Sequence, residues 1–528
     1  MMDRKYRLAT LGCKVNQYES QQIREILDSF SLRPARRGEP ADIAVVNTCA
    51  VTTAAERKNR QTIRRISENG RTPVIVVGCG AGADAARLRA ISGVIAVLGH
   101  DCNVQETLTM ELARRYPRRA IARRLSLDHG DGTRRAGPDA DRENVWMMPD
   151  HSARHRRNAS SQTAAQTHSE SIIPRTLPVV KAEADLIAQI HAFAGHQRAF
   201  LKVQDGCDAH CTYCIIPRLR PTLRTKPIDV AVREAAELVA GGHKEIIVTG
   251  IFLGAYGQQT ALRKRFGRSG STLADLVSAL SRIEGLERLR LSSLEPGDVD
   301  DALLEVLAGS QRCVPHLHLP LRSGSAEVLR RMNRQYSRDD FEAMIDRVRS
   351  ALDRPAITTD VIVGFPGESD DDFAATVEVA RYASFCKIHA FPFSPRGHTA
   401  AARWQARFVP PRTVRDRMRT LSCLESDLSL QFRRQFVGSV ERVIVESELP
   451  AGDGLDEAML CGRADRYFQV YFDDEPSRRC GVGDLVDIRI DRVTAARTHG
   501  RLELGSGRGV SLPVLAASPS SNSPCACS

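Results

Sequence analysis

No stretch of this chain approaches the length and apolarity of a membrane span. Its start, Met1-Met2-Asp3-Arg4-Lys5-Tyr6-Arg7, lacks the apolar core of a signal peptide. Neither membrane insertion nor secretion is expected, which leaves the cytoplasm as the expected compartment. Disulfides are rare in a reducing compartment, so the 14 cysteines point to metal or catalytic use. With 42% hydrophobic and 26% charged residues, the chain reads as soluble and globular. A single core does not serve 528 residues, and about two to four domains are expected. The net charge of +11 suits a polyanionic partner without identifying one.

A fourth ligand is missing from the most informative stretch, Gly206-Cys207-Asp208-Ala209-His210-Cys211-Thr212-Tyr213-Cys214. Three cysteines at C-x-x-x-C-x-x-C spacing follow a strand-like run at 199–204. Three thiolates can grip three irons of a cubane cluster and leave the fourth iron open to a reactive ligand. Zinc would usually take a fourth protein ligand. The other readings of these residues are structural thiols, or zinc completed by His210. Such tight grouping is rarely needed for packing, and the cluster is the favoured reading.

Residues 5 to about 115 repeat a strand–helix rhythm. Apolar runs at 7–11, 43–47, 74–77 and 94–98 alternate with helical patterns at 19–30 and 54–68, which predicts an open parallel α/β sheet. Cys13, Cys49 and Cys79 each fall just after one of these strands. Ligands of such sheets bind beyond the carboxyl ends of the strands, so the three thiols would converge there on a second cluster. Three buried core thiols are the plainer alternative. Cys102 lies further from its strand and is left unassigned. Between Arg114 and Arg157 there are twelve arginines, followed by a polar low-complexity run, 158–167. Residues 117–190 therefore read as a linker or insertion.

Strand candidates resume at 199–204, 245–249, 288–292, 316–321, 359–363 and 387–391, with helical patterns such as 231–240 and 339–352 between them. Six βα units suggest a complete or partial barrel, whose active groups gather at the C-terminal strand ends. Gly250, Ser293, Glu295, Gly364 and Gly367 stand at such ends, where glycines admit a ligand close to the backbone or simply make turns. Short strands at 440–446, 469–471, 485–493 and 502–504 predict a small β-barrel. The tail from 506 reads as disordered, and its Cys525 and Cys527 are not convincing ligands.

These residues together resemble the methylthiotransferases of the radical S-adenosylmethionine superfamily. The cysteine loop at 207–214 is the superfamily's motif, and the trio Cys13, Cys49, Cys79 is the family's. Thr10-Leu11-Gly12-Cys13-Lys14-Val15-Asn16-Gln17-Tyr18-Glu19-Ser20 looks like the branch acting on threonylcarbamoyladenosine in tRNA. His316-Leu317-His318-Leu319-Pro320-Leu321 and Lys387-Ile388-His389-Ala390-Phe391-Pro392 support that branch.

The resemblance implies a methylthiotransferase N-terminal domain at 3–116, a radical S-adenosylmethionine core at 193–430 and a TRAM barrel at 433–505. It implies two 4Fe–4S clusters. The one on Cys207, Cys211 and Cys214 would bind and reductively cleave S-adenosylmethionine. The other, on Cys13, Cys49 and Cys79, would deliver sulfur. Gly250, Ser293, Glu295, Gly364 and Gly367 are the candidate S-adenosylmethionine contacts. The expected product is a 2-methylthio derivative of the modified adenosine beside the anticodon, and the implied partners are tRNA, an electron donor and a sulfur source.

Isopentenyladenosine in tRNA and an aspartate of a ribosomal protein are the alternative substrates, and a non-enzymatic RNA-binding iron–sulfur protein is the rival class. Arg322 and Pro221 depart from the family's usual glutamine and glycine. In the C-terminal barrel, Arg433, Arg434, Arg442, Arg463 and Arg466 are the expected RNA contacts; of Tyr467, Phe468 and Tyr471 nearby, which could stack on bases, two are expected to fill the barrel core instead.

Overall fold

The computed structural model of the chain describes residues 4–36, 38–116, 187–262, 272–449, 459–473 and 480–503. Most of the arginine-rich stretch, the end of the 258–270 segment, and the tail with Cys525 and Cys527 lie outside the described residues.

The N-terminal unit is a parallel sheet in the order Arg33–Pro34, Lys5–Thr10, Ile43–Thr48, Val74–Gly78, Val94–Leu98. Every residue of the Ile43–Thr48 and Val74–Gly78 strands is buried, as expected of β-branched runs covered by helices on both faces. Thr52 caps the helix Thr53–Ser67 by accepting from the Ala55 amide. Register aligns the three strand ends that matter: Thr10 pairs with Asn47, and Thr48 with Gly78.

The central unit holds the six expected parallel strands, Arg198–Asp205, Glu245–Gly250, Arg288–Leu291, His316–His318, Ala356–Val363 and Lys387–Pro392. They form two sheets joined by the isolated bridges Leu289↔Cys313 and Ser293↔His318. The first and last strands do not pair, so the barrel is partial. Serine–aspartate capping boxes start the helices Arg338–Ala351 and Asp370–Tyr382. The helix Lys14–Ser29 of the N-terminal unit lies against the Arg198–Asp205 strand. Tyr18 fastens it there: its hydroxyl donates to Glu234 at 2.6 Å and accepts from Lys226 at 2.9 Å, all three buried.

Five strands close the C-terminal barrel: Val440–Leu449, Met459–Ala464, Gln469–Phe472, Leu485–Val493 and Thr498–Leu502. Two details differ from the sequence expectation. The last strand ends at Leu502 instead of running over 502–504, and Met459–Ala464 is an additional strand with no strict alternation to betray it.

Among the barrel's arginines, Arg463 pairs with Glu446, and Arg442 pairs with Asp465 at 2.9 Å. Arg466 holds Glu441 and Asp353, and Arg433 donates to Thr494 O, Thr498 Oγ1 and Ala495 O. These four are paired within the chain itself, and Arg434 alone of the five is exposed. Phe468 and Tyr471 are buried in the barrel.

Underneath lies a buried ionic dock between core and barrel. Glu245 accepts from Arg290 Nε at 2.8 Å and pairs with Arg288 Nε at 3.1 Å. Arg288 then donates to the Arg463 and Ala464 carbonyls, and Arg290 to that of Asp465. Burial alone would raise the Glu245 carboxyl, but the two guanidiniums overcome it and hold the group at about 2.

A carboxylate depressed from 4.5 to about 2 contributes stability that is complete above about pH 4.5 and fades as pH falls toward 2. Glu245→Gln is expected to cost about 3–5 kcal/mol at pH 7 in urea unfolding, because two buried guanidiniums lose their anion. The gap to wild type should narrow by about 2 kcal/mol at pH 3. A gap equal at both pH values would mean that Glu245 is not ionised in the fold.

Candidate active site and metal centres

The three N-terminal cysteines follow three adjacent strands and are drawn to one edge. Cys13 precedes the helix Lys14–Ser29, Cys49 follows Ile43–Thr48, and Cys79 opens the short helix Cys79–Ala83. Cys49 and Cys79 are buried, while Cys13 is exposed. Gly12 allows the approach: its φ is 113°, and a Cβ there would sit 2.9 Å from Cys49 Cβ.

Side-chain amides clamp the loops. Asn16 Nδ2 donates to Leu11 O and Thr48 O, Asn47 Nδ2 to Asn16 O, and Asn59 Nδ2 to Cys49 O while its Oδ1 accepts from Cys49 N. These asparagines are functional positions that sequence reasoning missed. Asn47 gave a signal as a polar residue near the end of an apolar run, whereas Asn16 and Asn59 stand among mostly polar neighbours on helices and gave none.

The second trio sits on the loop after Arg198–Asp205. Gly206 makes the turn at φ 77°, where a Cβ would lie 1.9 Å from Thr222 O. Thr212 pins the loop by donating to Met332 O at 3.0 Å and Arg331 O at 2.8 Å. Asp208 fastens it to the segment at 260–261, accepting from Thr260 Oγ1 and Ala261 N. Arg334 donates to Cys211 Sγ at 3.2 Å and Tyr213 Oη at 3.3 Å, and is itself held by Glu295.

Arg220 joins the two trios. Its Nε donates to Cys79 Sγ at 3.3 Å, and its backbone carbonyl accepts from Cys207 N at 3.0 Å. Its other nitrogens fork onto Glu19 at 2.7 and 2.9 Å and Asp205 at 2.8 Å. Lys202 completes the knot with 2.8 Å contacts to the same two carboxylates. Burial works against the Glu19 carboxylate, yet Arg220 and Lys202 bring it down to about 2. Cys79 also packs with Ile215 and Leu219, directly beyond Cys214.

Burial raises Cys49 and Cys207 to about 12 and Cys214 to about 11, and neighbouring thiols of the same trio add to each rise. Such groups stay protonated alone and become thiolates when a cation shares the site, since ligand deprotonation accompanies metal binding. Among the described residues no three His, Cys, Asp or Glu side chains converge on one metal ion, and His210 is exposed. Zinc needs its ligands about 2.3 Å from a single point. A cubane gives each thiolate its own iron, and three free thiols on one short loop suit that arrangement.

The other expected site residues are distributed around these loops. Glu295 reaches the 207–214 loop through Arg334. Ser293 is exposed and bridges to His318. Gly250 packs on Gln204, the Gly364 amide donates to Glu368 Oε2 at 2.8 Å, and the Gly367 amide to Arg407 O at 2.6 Å. Among the family departures, Arg322 has φ 63° and pairs with Asp360 at 3.0 Å inside the barrel. Cys102 donates to Gly99 O and joins neither trio.

The sequence matches the Radical SAM superfamily over residues 201–380 and the uncharacterized protein family UPF0004 over residues 5–99. It is 32% identical over 486 residues to the threonylcarbamoyladenosine tRNA methylthiotransferase MtaB of Bacillus subtilis, covering 91% of this chain and 92% of that one. The protein of the same name from Thermotoga maritima is 32% identical over 455 residues, 85% of this chain and 89% of that one. A tRNA-2-methylthio-N(6)-dimethylallyladenosine synthase of a Parafrankia strain is 32% identical over 453 residues, 85% of this chain and 79% of that one. Among solved structures, the radical S-adenosylmethionine methyltransferase TsrM of Kitasatospora setae aligns with a TM-score of 0.45 at 14% identity, over 76% of this chain and 77% of that one.

Arg220→Met is expected to destabilise the chain by about 3–5 kcal/mol in urea unfolding, because Glu19 and Asp205 then share one cation. The double variant Arg220→Met with Glu19→Met should recover part of that loss, since a buried anion leaves with its partner. Strict additivity of the two losses would separate Glu19 from the knot.

Proposed function

Because the chain belongs to the radical S-adenosylmethionine methylthiotransferases, we propose that it inserts a methylthio group at C2 of N6-threonylcarbamoyladenosine beside the anticodon of tRNA. The observation that carries this reading is the meeting of two cysteine trios at Arg220, in a chain about a third identical to enzymes of that name over most of its length.

Members of this family use S-adenosylmethionine and two 4Fe–4S clusters, which supply the reducing electron and the sulfur. In this reading Cys207, Cys211 and Cys214 hold the first cluster and Cys13, Cys49 and Cys79 the second. Gly250, Ser293, Glu295, Gly364 and Gly367 surround S-adenosylmethionine. The work is divided among units at 3–116, 193–430 and 433–505.

The chain's own contribution is positional. Arg220 fixes the separation of the two loops, the asparagine clamps keep the auxiliary thiols on one edge, and Glu295 with Arg334 holds Cys211. A primary carbon radical takes whichever hydrogen lies nearest, so fixed distances decide the outcome. The adenosine must leave its stack to present C2, which costs little in a single-stranded anticodon loop. An electron donor and a sulfur source are the remaining partners, and the cytoplasm is the compartment. No helix of the described residues is long and apolar enough to cross a membrane.

Methylthiolation of isopentenyladenosine is the second reading, favoured by the Parafrankia relative at the same 32% identity. Mass spectrometry of tRNA and ribosomal proteins from a deletion strain separates the candidates. The expected result is loss of 2-methylthio-threonylcarbamoyladenosine with the isopentenyl nucleoside and ribosomal aspartate unaffected. Loss of the isopentenyl product instead would transfer the chain to the other branch.

Anaerobic reconstitution should give about eight irons and eight sulfides per chain. Replacing Cys207, Cys211 and Cys214 with alanine should halve both and abolish S-adenosylmethionine cleavage. Replacing Cys13, Cys49 and Cys79 should halve both, retain some cleavage and end sulfur insertion. Product from that second variant would remove the auxiliary role.

A further inference from the structure

Where the core meets the C-terminal barrel, several polar side-chain atoms lack partners. Tyr467 enters from the barrel with φ 70°, an uncommon backbone state for a non-glycine residue. Its ring stacks on His316 with centroids 4.3 Å apart, and Arg290 and Arg463 lie 5.3 and 4.8 Å from its centre.

The Arg290 side chain is fully buried; its Nε and NH1 are used by Glu245 and the Asp465 carbonyl, but its NH2 is buried with no partner. His316 Nδ1 is buried without a partner too, while its Nε2 faces Thr358 Oγ1 at 3.2 Å. Lys14 lies among Tyr467, Arg198, Arg290 and Glu245, and its side chain makes no hydrogen bond or ion pair with the described residues. The nearby anions are already claimed: Glu245 by Arg288 and Arg290, Glu446 by Arg198 and Arg463. Lys14 is left over.

A buried donor without an acceptor is costly, and a charged one more so. The Arg290 N–H is in this state, His316 joins it as a donor when its proton sits on Nδ1, and the half-buried Lys14 amine lies beside them; together the three are complementary to an anion. Lys14 and His316 belong to two of the stretches that mark the threonylcarbamoyladenosine branch. The threonylcarbamoyl group carries a free carboxylate, and an isopentenyl group is a hydrocarbon. Building on the methylthiotransferase reading above, we propose that Lys14, Arg290 and His316, backed by Tyr467, form the pocket for the carboxylate of the substrate's threonylcarbamoyl substituent. Charge-assisted hydrogen bonds reward the carboxylate, and a substituent without it leaves the donors unpaired, so one pocket both selects and rejects.

The test compares one anticodon stem-loop RNA in two forms: carrying threonylcarbamoyladenosine, and with that carboxylate neutralised by carbodiimide coupling. Binding and methylthiolation are measured with the full, cluster-loaded chain. Neutralisation should raise Kd and KM for wild type by about ten- to a hundredfold. Lys14→Met should show a similar rise on the charged RNA and little further change on neutralisation, and Lys14→Arg should restore most of the difference. Iron content reports whether each variant is folded. Equal binding of both RNAs by wild type would overturn the pocket while leaving the reaction in place. A full neutralisation penalty in Lys14→Met would place carboxylate recognition elsewhere. No methylthiolation of the charged RNA by wild type would overturn the parent reading, and the pocket's ligand with it.

Discussion

One guanidinium carries the relation between the two halves of the site. Arg220 touches Cys79 by its Nε, Glu19 and Asp205 by its terminal nitrogens, and the Cys207 amide by its carbonyl. Glu19 belongs to the N-terminal unit, and Asp205 ends the first strand of the central barrel. A planar fork of fixed geometry suits this task, because its five donors set angles as well as distances. Lysine at the same place would supply charge without fixing the spacing of the two loops. Tyr18, the residue before Glu19, fastens the same turn of the helix to Glu234 and Lys226 of the core, so the two contacts reinforce one another.

A second theme is how much charge the interior holds and how completely it is answered. Glu245, Arg288, Arg290, Asp465, Glu446 and Arg463 form a continuous buried network between core and barrel. Ionic docks of this kind are weak sources of stability against a well-packed apolar alternative, but severe penalties follow when one partner is removed. The dock therefore specifies one arrangement of the barrel more than it strengthens it. Within it, the unanswered donors near Lys14 stand out because nearly everything around them is paired.

The two cysteine trios were legible from spacing and from their place after strands, since both patterns depend on local sequence. The six-strand core was legible because buried parallel strands are near-continuous apolar runs. The Met459–Ala464 strand was less so, because its burial does not alternate. The intrachain pairing of the C-terminal barrel's arginines was not legible, for a deeper reason. An arginine's fork suits a phosphate and a backbone carbonyl alike, and only the fold shows that Arg433 and Arg466 already face carbonyls of their own chain. Arg220, Asn47 and Asn59 were hidden for the same cause: their partners lie 10 to 201 residues away.

Tyr467 has a consequence for biosynthesis. It packs on His316 of the core, yet it lies more than 250 residues beyond Cys207 and Cys214 in a chain made from its N-terminus. All six cysteines of the two trios leave the ribosome well before the residue that stacks the barrel on His316. The two trios can therefore come together before the barrel docks on the core. The chain's order of synthesis matches the order in which its parts are needed.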